Sequence, residues 1–456
     1  MTAAGARTQG FELETRFAGR ARPVRETPVQ VIASWLCCAY VLSQIYMVPV
    51  WLVGPSWSVW PSLADFVIPI MLVLLPFLKR AGVGVPPEIA TLQRLFLVLG
   101  GGLVLSYLVL TLDPFHLNSA VMFNDKGQAV GLYQLYRVCQ SLIVFWIALC
   151  APLNGSRRRR LCHMVGITFW ISAALLLADY FHVLSTPMLA PHIPRDLQLA
   201  GPWAYYSRGV VGQPVGTIGF HHVYPSIQLL VLAALYLHLL SERHFWLHAL
   251  VLSGLGVCGF VGGSRSGFVA ICVFIAGVVV SHMRRFLAMV VTATMLIIAA
   301  LQFSESVSRA FAAAVERQST ISSSYEDDGF AGRVEIWNER VVLLNDNPLL
   351  WLVGTGFGSA VQSGSNGHML YLHITLECGL IGLAAFLAVM WRILALLWRR
   401  SDTRVVYFAT IALLVSALTQ ETFYPVPALS QFGSLFLLCV AIAVRGTDRQ
   451  RMKVTA

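Results

Sequence analysis

The sequence alternates long apolar stretches with shorter polar connections over most of its length. Within the stretches polar and apolar residues show no two-residue period, which excludes the strands of a membrane barrel and leaves helices. Most stretches have the length that a helix needs to cross the hydrocarbon core of a bilayer. The pattern predicts an all-α polytopic integral membrane protein with about 12 transmembrane helices, at residues 29–52, 59–78, 94–112, 131–151, 163–182, 223–240, 245–262, 267–282, 286–301, 369–398, 405–420 and 428–444.

The composition agrees with a chain whose outer surface faces lipid. Residues of the set AVILMFWYC make up 57% of the chain, charged residues make up 12%, and the mean hydropathy is +0.70. Soluble domains carry charge on about a quarter of their residues. A soluble multidomain enzyme, a coiled coil and a disordered protein are therefore excluded.

The distribution of Lys and Arg predicts the orientation in the membrane. Of the 32 basic residues, 23 fall in the two tails and in short connections on one side, as is typical of cytoplasmic loops. The net charge of +10 is then a topology signal, and no nucleic-acid partner is expected. The predicted organisation is a cytoplasmic tail at 1–28, nine spans within 29–301 with an outer loop at 183–222, a large outer loop at 302–368, three spans within 369–444 and a cytoplasmic tail at 445–456.

The large outer loop contains two predicted helical pieces, the first near 304–318. In the second, Arg333 and Arg340 are seven residues apart and lie on one face of a helix. Such a helix can rest on the membrane surface or on the bundle while both guanidinium groups reach a phosphate at headgroup level. Beside these arginines runs one apolar stripe, formed by Phe330, Val334, Trp337, Val341 and Leu344.

Arg265 lies in a short turn, Gly262–Gly267, between two apolar spans. An arginine at such depth is costly without a partner, and the neighbouring glycines allow a ligand to approach the backbone closely. We therefore expect Arg265 to bind an anion. Other outer-side arginines, namely Arg195, Arg309 and Arg317, are interpreted as ordinary solvated side chains.

His368 follows the large loop directly and starts a span. A neutral imidazole accepts a proton near pH 7, so that His368 is a candidate base, although a histidine there is also typical of a polar helix cap. His373 and Glu377 lie one and two turns deeper, and the sequence leaves open whether they orient His368 or pair within the bundle. His221 and His222, at the mouth of the sixth span, are weaker candidates for the same site.

The glycine-rich segment Gly354–Gly358 is interpreted as a turn by which the chain re-enters the membrane. Its spacing faintly resembles a nucleotide-binding loop, but no parallel strand precedes it.

With these residues in view, the chain resembles the bacterial O-antigen ligase and polymerase superfamily over about residues 205–385. The matching motifs are Gly-Ser-Arg265 between two spans, Gly332-Arg333 followed by Trp337, the glycine repeat between Pro348 and Gly358, and His368 followed by Gly379 and Gly382. One departure is Met369, where ligases of the family usually have Asn, Ser or Gln. Ten residues separate Arg208 from Gly219. This spacing is similar to the arginine–glycine spacing of the polymerases.

The resemblance implies a C-type glycosyltransferase of the bacterial inner membrane whose active site faces the periplasm. It implies transfer of a glycan from an undecaprenyl-diphosphate-linked oligosaccharide, with Arg265 and Arg333 on the diphosphate, Arg208 and Arg340 as lesser members, and His368 as the base that deprotonates the acceptor. Neither a metal nor a cofactor is implied, and the nine cysteines show no metal-ligand spacing. A chain-length regulator is expected as a further partner.

The acceptor is left open by the sequence. Met369 and the Arg208 spacing favour a polysaccharide polymerase, whose acceptor is another carrier-linked glycan. The alternative is an O-antigen ligase that transfers the glycan to lipid A-core or to a protein. In either case the partners are a lipid-linked donor, an acceptor and the bilayer.

A transporter or a lipid-linked sugar flippase is the competing class of protein. Carriers place ionisable residues near the bilayer midplane and often have related halves. Here the arginines lie toward one face, and no repeat between halves is visible. Transport is therefore the less favoured function, followed by a structural or sensory role.

Overall fold

The computed structural model describes most of the predicted spans and two helices of the large loop. The residues described are 27–48, 50, 61–80, 87–112, 126–184, 188, 214, 216–217, 223–240, 244–281, 291, 294–295, 305–319, 331–359, 368–424 and 431–445. This part of the chain is helical and contains no β-strand. The all-α class is in agreement with the sequence pattern.

The described residues form fourteen α-helices, and one 3-10 turn at Ser401–Thr403. They are α1 (Pro28–Ser43), α2 (Ala64–Arg80), α3 (Pro87–Leu112), α4 (Lys126–Cys150), α5 (Gly155–Tyr180), α6 (Val223–Leu239), α7 (Phe245–Val261), α8 (Arg265–Ser281), α9 (Glu305–Ser319), α10 (Ala331–Asp346), α11 (Pro348–Val353), α12 (Leu370–Trp398), α13 (Arg404–Ser416) and α14 (Gln431–Arg445). Eleven of the predicted spans coincide with α1–α8 and α12–α14, whereas the span predicted at 286–301 lies almost wholly outside the described residues.

Four described helices are long and apolar enough to cross a membrane: Pro87–Leu112, Gly131–Cys150, Gly155–Tyr180 and Leu370–Trp398. Six more are apolar but have 10 to 17 residues. The number of spans therefore stays a prediction, while the multi-pass membrane character is supported by apolar side chains on the outer surface. Among them Val280 is 77% exposed, Leu97 75% and Trp391 73%, which lipid tolerates and water does not.

Helix α6 is the centre of the bundle. Every described side chain from Tyr224 to Leu239 is buried, and the helix packs against α5, α7, α8, α13 and α14. A helix that is apolar all round needs such an interior position. Around it, α3 packs against α12, α4 against α14, and α8 against α13.

A buried ion pair joins α2 to α4. Arg137 contacts Asp65 and donates to Gln140 Oε1 at 2.8 Å, while Gln140 Nε2 donates to Asp65 Oδ1 at 2.8 Å. Arg137 is only 1% exposed, so that its charge is held by these partners rather than by water. These contacts give Arg137 a structural role inside the bundle.

Helix α10 rests on the bundle through α11 and α12. Leu344, Leu350 and Leu376, one from each helix, form a small buried cluster. The side chain of Asn347 caps the N-terminus of α11, and Pro348 is the first residue of that helix. This fixed start of α11 also determines where α10 ends. The amphipathic helix that carries Arg333 and Arg340 is therefore attached to the helix that follows His368.

Candidate active site

Arg265 is the first residue of α8, after a turn of three residues that follows α7. The N–H of Gly267 donates to Ser264 Oγ at 3.0 Å, and Gly263 adopts a φ of 67°, which favours glycine. A Cβ on Gly267 would stand 2.7 Å from Ser226 of α6, so that the turn packs tightly on the central helix. Arg265 is thus held at a helix N-terminus, where the helix dipole also favours an anion.

Arg333, on the first turns of α10, lies in the electrostatic field of Arg265 and Glu421. Burial lowers the pKa of the Arg333 guanidinium, the positive charge of Arg265 lowers it further, and Glu421 acts in the opposite direction. Two arginines that are half-buried and close to each other favour a shared anionic ligand, because such a ligand relieves their repulsion.

His368 is held in a conformation that side chains rarely adopt. Its φ is 45°, in the left-handed region, and the next helix is fixed at once because the N–H of Leu370 donates to the Ala417 carbonyl at 2.9 Å. The hydroxyl of Tyr371 donates to Leu414 O at 2.8 Å. Residues with such backbone outliers cluster at functional sites, since the surrounding structure must maintain them.

The protonation of His368 is governed by burial and by three charged neighbours. Burial lowers the pKa of His368 below its ordinary value, and Glu421 opposes this shift, while Arg333 and His373 add to it. The net lowering favours a neutral imidazole near pH 7, which is the form that accepts a proton.

A buried Glu-His-Glu cluster lies near His368, whose pKa is affected by Glu421 and His373. His373 Nε2 is 3.4 Å from Glu377 Oε1 and His373 Nδ1 is 3.8 Å from Glu421 Oε1, and the three side chains are 0%, 0% and 4% exposed. The ring of Tyr424 covers His373, with 4.1 Å between the ring centroids. Burial alone would raise the pKa of Glu421, but the contact with His373 outweighs burial and holds that pKa below its usual value.

The glycine-rich segment after α11 packs against this cluster and donates hydrogen bonds to Glu377. The N–H of Gly358 donates to Glu377 Oε2 at 2.9 Å, and the N–H of Gly356 donates to the Glu377 carbonyl at 2.9 Å. Glycine is required at Gly354, where φ is 75° and a Cβ would overlap the backbone of Glu377. The segment is therefore a buried turn against α12, which excludes a nucleotide loop.

A kink at Gly379 allows the turn formed by Gly354–Gly358 to pack closely against α12. Gly379 has a φ of 67° inside the helix, and a Cβ there would overlap the Leu352 carbonyl. The carbonyl of Leu376, which loses its helical partner, accepts instead from Thr355, by the N–H at 2.7 Å and by the hydroxyl at 2.9 Å. The backbone groups that the kink releases are thus satisfied within the protein, as the membrane interior requires.

The structure brings together five of the residues singled out in the sequence: Arg265, Arg333, His368, His373 and Glu377. Arg340 lies two turns beyond Arg333 on α10, half-buried, and its Nε has no hydrogen-bond partner among the described residues. Arg208, His221 and His222 lie outside the described residues. In the described part of the chain no group of three or more His, Cys, Asp or Glu side chains is arranged to hold a metal ion.

Glu421 is the residue of the site whose role sequence reasoning missed. No motif or spacing in the sequence assigns it a partner. One signal was present: Gln420, Glu421 and Thr422 form a polar run between two apolar spans, and all three side chains are buried. A buried polar run of this kind must contact other polar groups.

Residues 248–387 match the family model described as O-antigen ligase. The chain carries an O-antigen ligase domain. The superfamily predicted from the sequence is thereby confirmed. No curated protein matches the chain. Arg265, Arg333, His368, His373 and Glu377 all lie within the O-antigen ligase domain, and Glu421 lies 34 residues beyond it.

The family match supports only a coarse class of protein. Members of the family are glycosyltransferase-like enzymes that use lipid-linked glycans and lipid acceptors. The match does not separate polymerases from ligases. Together with the apolar helices it supports a multi-pass membrane protein.

Proposed function

We propose that the chain is a membrane glycosyltransferase that transfers a glycan from an undecaprenyl-diphosphate-linked donor in surface polysaccharide assembly. The observation that carries this proposal is that Arg265, Arg333, His368 and the buried carboxylate of Glu421 lie within electrostatic reach of one another. With the basic side of the chain in the cytoplasm, this site faces the periplasm of an inner-membrane protein.

In the proposed reaction Arg265 and Arg333 bind the diphosphate of the donor, with Arg340 and Arg208 as lesser members. The oxygen of an acceptor hydroxyl attacks the anomeric carbon while the bond between that carbon and the diphosphate oxygen breaks. Undecaprenyl diphosphate leaves with the bonding electron pair, and the arginines match the charge that develops on it. Attack opposite the leaving group inverts the anomeric configuration.

His368 is the proposed base, since a ring nitrogen takes the proton of the acceptor hydroxyl as the new glycosidic bond forms. Its lowered pKa keeps the imidazole neutral before the reaction. His373, Glu377 and Glu421 are the proposed positioning residues. Glu421 acts electrostatically on both His368 and Arg333. The carboxylates of Glu377 and Glu421 hold the ring of His373 between them. His221 and His222 stay weaker candidates for the same role.

The acceptor proposed first is a second carrier-linked glycan, which makes the protein a polysaccharide polymerase for O-antigen or exopolysaccharide. Met369 and the Arg208 spacing favour it. The alternative is an O-antigen ligase acting on lipid A-core or on protein, and the family match is compatible with both acceptors. A chain-length regulator as a partner stays a prediction.

Reconstitution with purified donor separates these possibilities. Proteoliposomes that contain the protein and lipid-linked repeat units alone should form glycans of several repeat lengths. Extension only after addition of lipid A-core or an acceptor protein would show a ligase. Movement of the donor across the bilayer without any new glycosidic bond would show a flippase instead.

A further inference from the structure

Helix α9 of the large loop is attached to the bundle at the end of α7. The ring of Phe311 packs on the ring of Phe260, with 5.3 Å between the ring centroids, and the two helices contact each other there. Ala314 and Gln318 follow Phe311 at spacings of three and four, which places them on the same face of α9, and they are 6% and 8% exposed. This buried face lies against the last turn of α7, five residues before Arg265.

Gln318 caps the C-terminus of α7. Phe260 is the last residue but one of that helix, so that the N–H which would serve its carbonyl in a longer helix lies beyond the helix end. The side-chain amide of Gln318 takes that place, because its Nε2 donates to the Phe260 carbonyl at 3.1 Å. An unsatisfied carbonyl is costly in an apolar environment, and the amide of α9 therefore stabilises this end of α7.

Phe260 also joins α7 to α8 across the turn that carries Arg265. Its ring centroid is 5.8 Å from that of Phe268, one turn into α8, and the N–H of Phe268 donates to the Ser264 carbonyl at 2.8 Å. One aromatic residue thus contacts both α8 and α9, and its carbonyl accepts the hydrogen bond from Gln318. The position of α9 is therefore transmitted to the first turn of α8, where Arg265 lies.

The turn between α7 and α8 needs this support because of its glycines. Gly263 has a φ of 67° and Gly262 precedes it, and glycines leave a backbone more conformational freedom than other residues do. One attachment of the turn is to α6, where a Cβ on Gly262 would stand 3.2 Å from Ser226 Oγ. The contacts of Phe260 and Gln318 attach it a second time, to α9.

We infer, resting on the function proposed above, that Gln318 is a positioning residue whose hydrogen bond to α7 holds the Arg265 guanidinium where the diphosphate of the donor leaves. A guanidinium group that is displaced by about 1 Å no longer matches two phosphate oxygens, and displacements of this size, caused far from the reacting atoms, can lower a rate about 10²-fold. In this role Gln318 acts through Arg265 and need not contact the substrate.

The first test removes the hydrogen bond and keeps the length of the side chain. Gln318→Met should lower kcat for transfer about tenfold, less than the loss expected for Arg265→Ala, because Arg265 is displaced and not removed. KM for the acceptor should not change. The matched control is Glu316→Met, two residues away on the exposed side of α9, which should transfer normally. An equal fall of kcat in both variants, or a higher acceptor KM in Gln318→Met, would overturn the proposal.

A double-mutant cycle shows whether Gln318 acts through Arg265. In Arg265→Ala the guanidinium group is absent, so that Gln318→Met should lower the remaining kcat no further. A merely structural role would instead reduce activity by the same factor with and without Arg265, and that result would contradict the assignment.

Hydrogen exchange tests the attachment without any glycan transfer. In the protein held in nanodiscs, the backbone N–H groups of residues 262–268 should exchange severalfold faster in Gln318→Met than in Glu316→Met, because the end of α7 opens more often without its cap. The N–H groups of α12 should exchange equally in both. Equal exchange at residues 262–268 would overturn the proposal.

A second pair of variants serves if Gln318→Met fails to fold. Phe311→Ala removes the ring contact with Phe260 and should give the same two effects, whereas Val315→Ala, which is 44% exposed on the same helix, should give neither.

The two proposals fail separately. Faster exchange at the turn in a protein that transfers no glycan would contradict the proposed function and keep the attachment of the turn to α9. Glycan transfer with equal exchange would do the reverse.

Discussion

Arg265 and Arg333 are the residues at which specific phosphate binding can be separated from simple positive charge. Arg265→Lys keeps the charge and loses the planar fork that binds two phosphate oxygens. We expect kcat to fall about 10²-fold, nearly as far as in Arg265→Ala, as for the loss of one charge-stabilising donor. The control is Arg309→Lys on the exposed face of α9, which should transfer glycan normally. Near-normal kcat in the Arg265→Lys enzyme would mean that only a positive field is needed.

Glu421 is expected to act on His368 through its charge. Because the carboxylate raises the pKa of His368 against the effect of burial, Glu421→Gln should lower that pKa further. A base loses activity as the pH falls through its pKa, and the acidic limb of the pH profile of kcat/KM should therefore move to lower pH. Glu421→Asp should restore part of the original profile.

A merely structural Glu421 would give a different result. The acidic limb would then stay in place while the amount of folded protein decreased. Glu339→Gln, on the exposed side of α10, is the matched control and should change neither property.

Among the elements, α12 depends most on a single backbone position. Gly379→Ala places a Cβ where φ is 67° and against the Leu352 carbonyl, so that the kink, the turn after α11 and the Glu377 contacts should all be disturbed. We expect a lower Tm and loss of transfer. Gly100→Ala in α3, where a Cβ meets nothing within 4 Å, should leave the Tm unchanged or raise it. Equal Tm values for the two variants would contradict the strain assigned to Gly379.

The helices themselves were largely predictable, since hydropathy and helical period are local properties. The stripe beside Arg333 indicated α10, and the apolar runs indicated most of the bundle. The pairing of His373 with Glu421 was not predictable, because 48 residues and a whole helix separate them. The kink at Gly379 was hidden for a related reason: glycine is common in membrane helices, and only its contact with Leu352 shows why it is required.

For the molecule as a whole, the orientation rests on the distribution of basic residues. A cysteine at Ser323, in the large loop, should react with a membrane-impermeant maleimide in cells whose outer membrane alone is permeabilised. A cysteine at Ser401, between α12 and α13, should react only after lysis. The reverse pattern would place the proposed site in the cytoplasm and remove the periplasmic donor from the mechanism.

The assembled site is best examined by comparing transfer with binding in one variant. His368→Ala should fold normally, because the residue precedes α12 and is only half-buried. In proteoliposomes with purified lipid-linked repeat units, transfer should fall about 10²–10⁴-fold, the range for loss of a positioned base, while the arginines still bind the donor with unchanged Kd. Retained transfer, or a loss of binding equal to the loss of rate, would contradict the assignment of His368 as the base of a glycosyltransferase.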